Sequence, residues 1–171
     1  MLINLKNTNC VSLSFGLESA SNEILKKIDK RFTIEKALQT INCAKMYIPD
    51  ISPSFIVGFP FESLSEFNNT IKLATTLHKE GMSVVMSFLR PQVGTKIYSE
   101  YENKLFTDFR GVIRPFEIDD EIKKIVNENR MLYSWYYTYR TPELEEKIRT
   151  YREINMKYMP IQQRLVHMGI Q

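Results

Sequence analysis

Two carboxylates, Glu18 and Glu62, each stand just after a short β-rich run that contains a glycine. The first run is Phe15-Gly16-Leu17, and the second spans residues 55–61 with its glycine at position 58. A carboxylate at such a turn can accept charge-assisted hydrogen bonds, which are stronger than neutral ones. Ligand sites of parallel α/β proteins lie at the carboxyl ends of the strands. The two turns therefore predict a ligand-binding site at one end of a sheet.

The elements that must position these carboxylates alternate between strands and helices. Residues 10–15 alternate as a strand should, and two further strands are predicted around residues 54–57 and over residues 83–89. With the helices between them the order is β-α-α-β-α-β-α, which predicts an α/β fold with right-handed parallel connections. The signals for helix boundaries are Ser21, Thr33, the Ser63-x-x-Glu66 capping box, Gly81 and Gly94-Thr95.

The pattern of the sequence changes after about residue 105, where the regular alternation of strands and helices stops. We therefore predict two parts, a sheet-forming domain over residues 1–105 and an extension over residues 106–171. The extension is predicted to contain a loop over residues 106–118, a helix from Asp119-Asp120 to about Tyr139, a helix over residues 143–157 and a weakly helical tail.

Composition is that of an ordinary globular protein. The 171 residues suit one domain with an appendage, and the formal net charge of +3 is too small to predict nucleic-acid binding. No apolar run reaches the ~20 residues that span a bilayer, and the N-terminus lacks a signal-peptide pattern. We expect a cytoplasmic protein with no membrane contact. The densest basic cluster is predicted to be a solvated helix face, and it consists of Lys26, Lys27, Lys30 and Arg31.

Cysteines and histidines are too few to predict a metal site. Cys10 and Cys43 fall on different predicted elements, and we expect two buried thiols rather than a disulfide or a metal pair. His78 and His167 are predicted to be surface or packing residues.

Short motifs cover most of the chain, and their order is more specific than any one of them. They are Leu5-Lys6 through Cys10 with Leu13, then Gly16-Leu17-Glu18-Ser19, then Leu25-Lys26-Lys27-Ile28-Asp29-Lys30 with Thr33, then Ile56-Val57-Gly58-Phe59-Pro60 with Glu62, and finally Phe88, Pro91, Gly94-Thr95 and Tyr98. In this order they resemble the radical S-adenosylmethionine (SAM) superfamily, particularly its cobalamin-associated and methylthiotransferase-like branches. The family fold is a partial (β/α)6 barrel. The resemblance implies that this chain forms about three strands of an incomplete parallel barrel, its later half, with a C-terminal helical extension.

The resemblance assigns the methionine and ribose parts of SAM to the end of the first strand of this chain. That role would fall to Glu18, with Ser19 or Ser21 assisting. A carboxylate can accept hydrogen bonds from ribose hydroxyls or from the α-ammonium group. The alternative is that Glu18 only favours the positive N-terminus of the following helix.

The same resemblance assigns the adenine ring to the ends of the next two strands. Glycine there lets a flat ring approach the main chain, and Glu62 would support the turn by hydrogen bonding. Phe61 departs from the family, which usually has a small residue at this place. Core packing is the alternative for the aliphatic residues, and contact with substrate is the alternative for the arginine. The residues implied at adenine are Ile56, Val57, Gly58, Phe88, Leu89 and Arg90.

The defining cluster-binding motif of the family, Cys-x-x-x-Cys-x-x-Cys, does not occur in this sequence. Two cysteines cannot supply the three thiolates that hold a 4Fe–4S cluster. The cluster is therefore expected of the family but not of this chain, and no radical chemistry or catalytic residue is expected from this chain alone. The resemblance also implies that the first three βα units are not encoded here.

The leading hypothesis is a C-terminal fragment of a radical SAM enzyme that supplies part of the SAM nucleoside pocket and is inactive by itself. The alternative is a non-catalytic assembly or binding module with half a barrel that docks on a partner protein. Open sheet edges predict either self-association or a separate chain that carries the first half. The sequence does not assign the substrate, since the same barrel serves many reactions.

Overall fold

The computed structural model describes residues 2–107 and 118–158. Contacts divide the chain into two compact units. Unit 1 consists of Met1–Val57 and Glu62–Ser87, and unit 2 consists of Gly58–Phe61 and Phe88–Gln171. The boundary predicted from the sequence near residue 105 stays a prediction.

The first part of the chain builds a three-stranded parallel sheet flanked by helices. The strands are ordered β1-β2-β3, and β1 pairs with β2 in parallel from Ser12 opposite Asp50. This confirms the predicted α/β class, a partial barrel with a helical C-terminal part. The elements are α1 (Leu2–Asn7), β1 (Ser12–Glu18), α2 (Asn22–Lys27), α3 (Ile34–Lys45), β2 (Asp50–Val57), α4 (Leu64–Lys79) and β3 (Val85–Phe88).

The strand boundaries differ from the predicted ones. β1 continues through Gly16 to Glu18, so the glycine does not end the strand. β2 begins at Asp50, four residues before the predicted start, and Pro53 lies inside it. β3 is shorter than predicted. Period-two patterns locate strands well but their ends poorly, because a strand end depends on pairing with its neighbour.

The core of unit 1 lies between the sheet and its helices. Burial alternates along β2, and Ile51 and Phe55 are nearly inaccessible. They pack with Ile41 and Ala44 of α3 and with Leu77 of α4 in one apolar cluster. The amphipathic patterns of these helices therefore serve one common core.

Helix ends in unit 1 follow the signals in the sequence. Ser21 and Thr33 cap α2 and α3, and the capping box of Ser63 with Glu66 is formed in full at α4. α1, α2 and α4 all end in the same Schellman motif, with a residue at positive φ just past the helix. That residue is Asn9, Asp29 or Gly81.

An acidic residue ties the amino ends of the strands together. The Asp50 carboxylate accepts hydrogen bonds from the Ser12 hydroxyl of β1 at 2.6 Å and from the Ser83 hydroxyl before β3 at 2.7 Å. The two hydroxyls hold the pKa of the Asp50 carboxyl below its usual value, against a smaller rise from desolvation. The ionised form of Asp50 thus holds three segments of the sheet in register.

Asp50→Asn is expected to lower the stability of the chain near neutral pH. A carboxyl whose pKa is depressed on folding stabilises the fold above its unfolded pKa of about 3.9, and this contribution is lost as the pH falls through the folded value. The difference between Asp50→Asn and the wild type should therefore shrink in acid. Denaturant midpoints measured across this pH range check it. Ser83→Ala, which removes one of the two donors, should have a smaller effect, and a pH-independent difference would contradict the assignment.

Unit 2 combines three α-helices with a two-stranded antiparallel ribbon among its described residues. β4 pairs with β5 from Leu105 opposite Tyr139 to Thr107 opposite Tyr137. Two 3₁₀ turns, Glu102–Lys104 and Ser134–Tyr136, precede the two strands. The elements are α5 (Lys96–Glu100), β4 (Leu105–Thr107), α6 (Asp120–Glu128), β5 (Tyr137–Tyr139) and α7 (Leu144–Tyr158).

The prediction of one helix from Asp119-Asp120 to about Tyr139 is wrong. Asp119 does cap the helix, but α6 ends at Glu128 and Asn129 follows as its C-cap. Tyr137-Thr138-Tyr139 is aromatic and β-branched, which favours a strand, and it finds a partner in β4. The predicted loop over residues 106–118 is partly wrong, since Phe106 and Thr107 belong to the strand β4, and residues 108–117 of it lie outside the described residues. The helix predicted over residues 143–157 is confirmed, and the tail from residue 159 onward lies outside the described residues.

Candidate functional site

Glu18 has an unusual backbone conformation at the end of β1. Its φ is +63°, and the Ser19 amide donates to the Leu17 carbonyl at 2.8 Å, which makes Glu18 the centre of a γ-turn. The register with β2 also shifts between Gly16 and Glu18, as in a β-bulge. A non-glycine residue at positive φ in a γ-turn is strained, and such strain collects at ligand sites. Bulges likewise re-aim side chains at sheet ends.

The position of the Glu18 carboxylate depends on a lysine that pairs with it and on a glycine that leaves room for it. Lys30 Nζ lies 2.8 Å from Glu18 Oε1, and the Glu18 side chain is 16% exposed. A Cβ built on Gly16 would lie 2.7 Å from Glu18 Oε1. Gly16 therefore leaves the space into which the carboxylate folds back. The N-cap of α2 is Ser21, so the positive end of that helix already has a partner other than Glu18.

Lys30 is a site residue that the sequence analysis missed. It lies in the basic cluster predicted to be a solvated helix face, yet its Nζ is paired with Glu18. Lys30 follows α2 in the Schellman motif, where its amide donates to the Leu25 carbonyl at 2.9 Å. The signal that could have found it is the shortness of α2, since six helical residues carry the chain only about 9 Å from the strand end.

The hydroxyls of Ser19 and Ser21 are engaged with protein groups. Ser19 is fully buried, and its Oγ lies 3.3 Å from Thr70 Oγ1 of α4. Ser21 Oγ accepts from the Ile24 amide as the N-cap and donates to Glu66 Oε1 at 2.9 Å. Both serines therefore fix the turn after Glu18, and their predicted contact with a cofactor stays a prediction.

Glu66 is ionised in this arrangement. Its partial burial raises the pKa of the carboxyl, but the pKa lies below its usual value because the backbone and hydroxyl of Ser63, the Ser21 hydroxyl and the charge of Lys27 together lower it by more. An ionised Glu66 can accept from both serines at once, as the capping box requires.

Two of the residues predicted at adenine, Ile56 and Val57, point to opposite faces at the end of β2. Glu18 lies opposite Phe55 in the register, so Ile56 and Val57 are the next residues on the neighbouring strand. Val57 is fully buried and belongs to the core face, whereas Ile56 is half-buried on the other face. Of this pair, Ile56 has the side chain that a ligand could touch.

The remaining predicted residues lie in unit 2. Gly58 has a φ of +85°, and a Cβ built there would lie 2.6 Å from Phe88 Cδ1. Phe88 is buried and contacts Tyr151 edge-on, with ring centroids 4.8 Å apart. Leu89 is half-buried and Arg90 is exposed. The ring of Phe88 is thus a packing element against Gly58.

Phe61, which departs from the family pattern, packs against other aromatic rings. Its ring stacks on Phe59 and contacts Tyr101, each with centroids 5.6 Å apart. Lys104 Nζ lies over the Tyr101 ring and donates to the Pro60 carbonyl at 3.1 Å. These contacts fix the turn after Gly58.

The thiols do not form a metal site among the described residues. Cys10 is half-buried and its thiol lies 3.3 Å from the Ser12 carbonyl, whereas Cys43 is exposed on α3. The prediction of two buried thiols is therefore wrong for Cys43, because α3 turns Ile41 and Ala44 rather than residue 43 to the core. Within residues 2–107 and 118–158, no group of three His, Cys, Asp or Glu side chains could hold a metal ion.

The part of the chain that contains Glu18 and its partners is similar to known proteins. Residues 1–74 match the model of the radical SAM superfamily. The tRNA-2-methylthio-N(6)-dimethylallyladenosine synthase of Thermosipho melanesiensis is 31% identical over 122 residues, which cover 69% of this chain and 28% of that protein. The enzyme of the same name from Ehrlichia chaffeensis is 37% identical over 118 residues, covering 66% and 26%. The ribosomal protein uS12 methylthiotransferase RimO of Clostridium perfringens is 29% identical over 132 residues, covering 76% and 26%.

Residues 1–74 thus match the radical SAM superfamily. The relatives named above are methylthio-transferring enzymes, and over this partial region the matches confirm the resemblance to the methylthiotransferase-like branch of that superfamily. The matches span little more than a quarter of the length of these relatives. In the part of the chain that the structure describes, no helix has the length and apolar character needed to cross a membrane.

Proposed function

We propose that this chain supplies one wall of the SAM pocket of a radical SAM enzyme, at the end of β1. The observation that supports this most directly is Glu18, a non-glycine residue at positive φ whose carboxylate is folded over Gly16 and paired with Lys30. Strain of this kind persists only where the surrounding structure maintains it, and it is typical of ligand sites. The match of the region to the radical SAM superfamily gives the ligand its chemical class.

The donor set fits the polar part of SAM. The Glu18 carboxylate would accept hydrogen bonds from ribose hydroxyls or from the α-ammonium group, and Lys30 would hold it in position. Ile56, with its half-buried side chain on the next strand, would offer apolar contact in the same unit. When bound, SAM would contribute its sulfonium chemistry, while these residues bind and orient it.

The donor set does not fit the 4Fe–4S cluster of the family. The sequence contains two cysteines, and Cys43 is exposed on a helix far along the chain from Cys10. Three thiolates are needed. We therefore propose that this chain does not carry out radical chemistry by itself. The names of its relatives share methylthio transfer but differ in the substrate, an adenosine of tRNA in one case and a ribosomal protein in the other. We extend to this chain the SAM site and not a substrate.

Glu18→Gln is expected to weaken SAM binding by about tenfold or more, because a hydrogen bond to a charged group contributes about 1.5–3 kcal/mol. Isothermal titration calorimetry of the chain with SAM measures this directly. Glu23→Gln is the matched control, since Glu23 carries the same charge in the first turn of α2 and is exposed. If the wild-type chain does not bind SAM, or if Glu18→Gln binds SAM as tightly as Glu23→Gln, the SAM pocket at Glu18 is excluded. The non-catalytic assembly module then becomes the better account of the function of this chain.

A further inference from the structure

The turn that follows Glu18 is anchored on a different helix, α4. Ser19, Ala20 and Ser21 come directly after the strained residue, and each of them forms a hydrogen bond with Thr70 or Glu66 or with a neighbour that does. A non-glycine residue stays at positive φ only if its surroundings hold it there. These contacts all lie within three residues after Glu18 and join the turn to α4.

The hydrogen bonds form a chain in which every proton is accounted for. Thr70 Oγ1 donates to the Glu66 carbonyl at 3.1 Å, so it accepts from the Ala20 amide at 3.0 Å and from the Ser19 hydroxyl at 3.3 Å. The Ser19 oxygen in turn accepts from the Ser21 amide at 3.1 Å. Ser19 and Thr70 are both 0% exposed, so no water replaces a lost bond.

A second contact joins the same turn to the same helix. Ser21 Oγ donates to Glu66 Oε1, and Glu66 is fixed by the capping box with Ser63. Lys30, by contrast, holds the carboxylate of Glu18 and not its backbone. The contacts with Thr70 and Glu66 therefore hold the backbone from which the carboxylate projects, and Lys30 holds the carboxylate itself.

We infer that Thr70, assisted by Glu66, is a positioning residue that keeps Glu18 at positive φ and so aims its carboxylate at the cofactor. This inference rests on the proposed SAM site at Glu18. Thr70 itself touches no ligand in this scheme. It acts through Ser19 and Ala20, one and two residues after Glu18.

The test compares Thr70→Val, which keeps the shape and removes the hydroxyl, with Thr70→Ser, which keeps the hydroxyl. Thr76→Val is the matched control, because Thr76 lies on the same helix and its hydroxyl likewise donates to a carbonyl one turn back, that of Lys72. SAM affinity is measured by calorimetry for all three variants. We expect Thr70→Val to weaken binding by about tenfold and the other two to stay within about twofold of wild type.

Two further readouts separate positioning from general damage to the fold. In a Glu18→Gln background, Thr70→Val should not reduce SAM affinity further, since its effect on binding acts through the Glu18 carboxylate. The three-bond HN–Hα coupling of Glu18, which reports φ, should change in Thr70→Val and not in Thr76→Val. If Thr70→Val does not fold, Glu66→Gln carries the same comparison with a smaller expected loss.

Each outcome decides a specific point. Three results would overturn the positioning role while the SAM site stands. Thr70→Val could bind SAM like the wild type, it could reduce SAM affinity by the same factor in the Glu18→Gln background, or it could leave the Glu18 coupling unchanged. A wild-type chain that does not bind SAM overturns the proposed function and this inference together. In that case the coupling of Glu18 in Thr70→Val still shows whether α4 holds the turn.

Discussion

Gly58→Ala is expected to destabilise the chain by about 3 kcal/mol. An L-residue at positive φ costs about 1–2 kcal/mol, and forcing extra volume into a packed site costs about 1–3 kcal/mol more. The first cost arises because the φ of Gly58 is +85°, and the second because the new Cβ would lie 2.6 Å from Phe88 Cδ1. Phe88 cannot easily give way, since its other contacts include the Tyr151 ring. Denaturant unfolding monitored by circular dichroism measures the loss.

Two other glycines separate these costs. Gly81 and Gly94 have φ values of +87° and +86°, and a Cβ on either would meet nothing within 4 Å. Their alanine variants should therefore show the backbone cost alone, about 1–2 kcal/mol. Equal losses of stability at all three glycines would mean that the Phe88 ring moves aside. Glycine at position 58 would then not be needed for the close approach of that ring to the backbone.

Much of unit 1 could be predicted because its signals are local. The caps at Ser21 and Thr33 and the capping box at Ser63 depend on residues within one turn, and all are present in the structure. The parallel order of the sheet follows from the alternation of strands with helices long enough to cross over. The similarity to the radical SAM superfamily could also be predicted from the sequence, since it depends on the order of short motifs.

The residues around Glu18 could not be predicted because their partners are distant in the chain. Ser19 and Thr70 are separated by 51 positions, and no periodicity links a strand end to the second turn of a later helix. Lys30 looked like one more exposed lysine in a basic cluster. The positive φ of Glu18 leaves no mark in the residue type, since glutamate gives no hint of such a conformation.

The extension was misread for a related reason. An aromatic run with charged residues before it fits a helix or a strand, and pairing with Leu105–Thr107 decides for the strand. Two residues of that partner, Phe106 and Thr107, fall in the predicted loop, because a strand of three residues is too short to show alternation. Local pattern and tertiary pairing therefore disagree most where elements are short.

Replacing Glu18 with glycine should leave the chain more stable than replacing it with alanine, by about 1–2 kcal/mol, although both variants lose the carboxylate and the pairing with Lys30. Glycine adopts a φ of +63° without strain, whereas alanine keeps the penalty that glutamate has.

Ser14 is the matched control, because it is exposed on the same strand and does not have a positive φ. At position 14 the glycine variant should be less stable than the alanine variant by about 0.5–1 kcal/mol. Thermal and denaturant unfolding of the four variants measure the two differences. Both Glu18 variants should also weaken SAM binding by about tenfold or more relative to the wild type, because both lack the carboxylate. The same sign at both positions would show that the chain does not hold Glu18 under strain. A reversed sign at Glu18 alone is the result expected of a residue whose conformation is maintained for binding at the expense of stability.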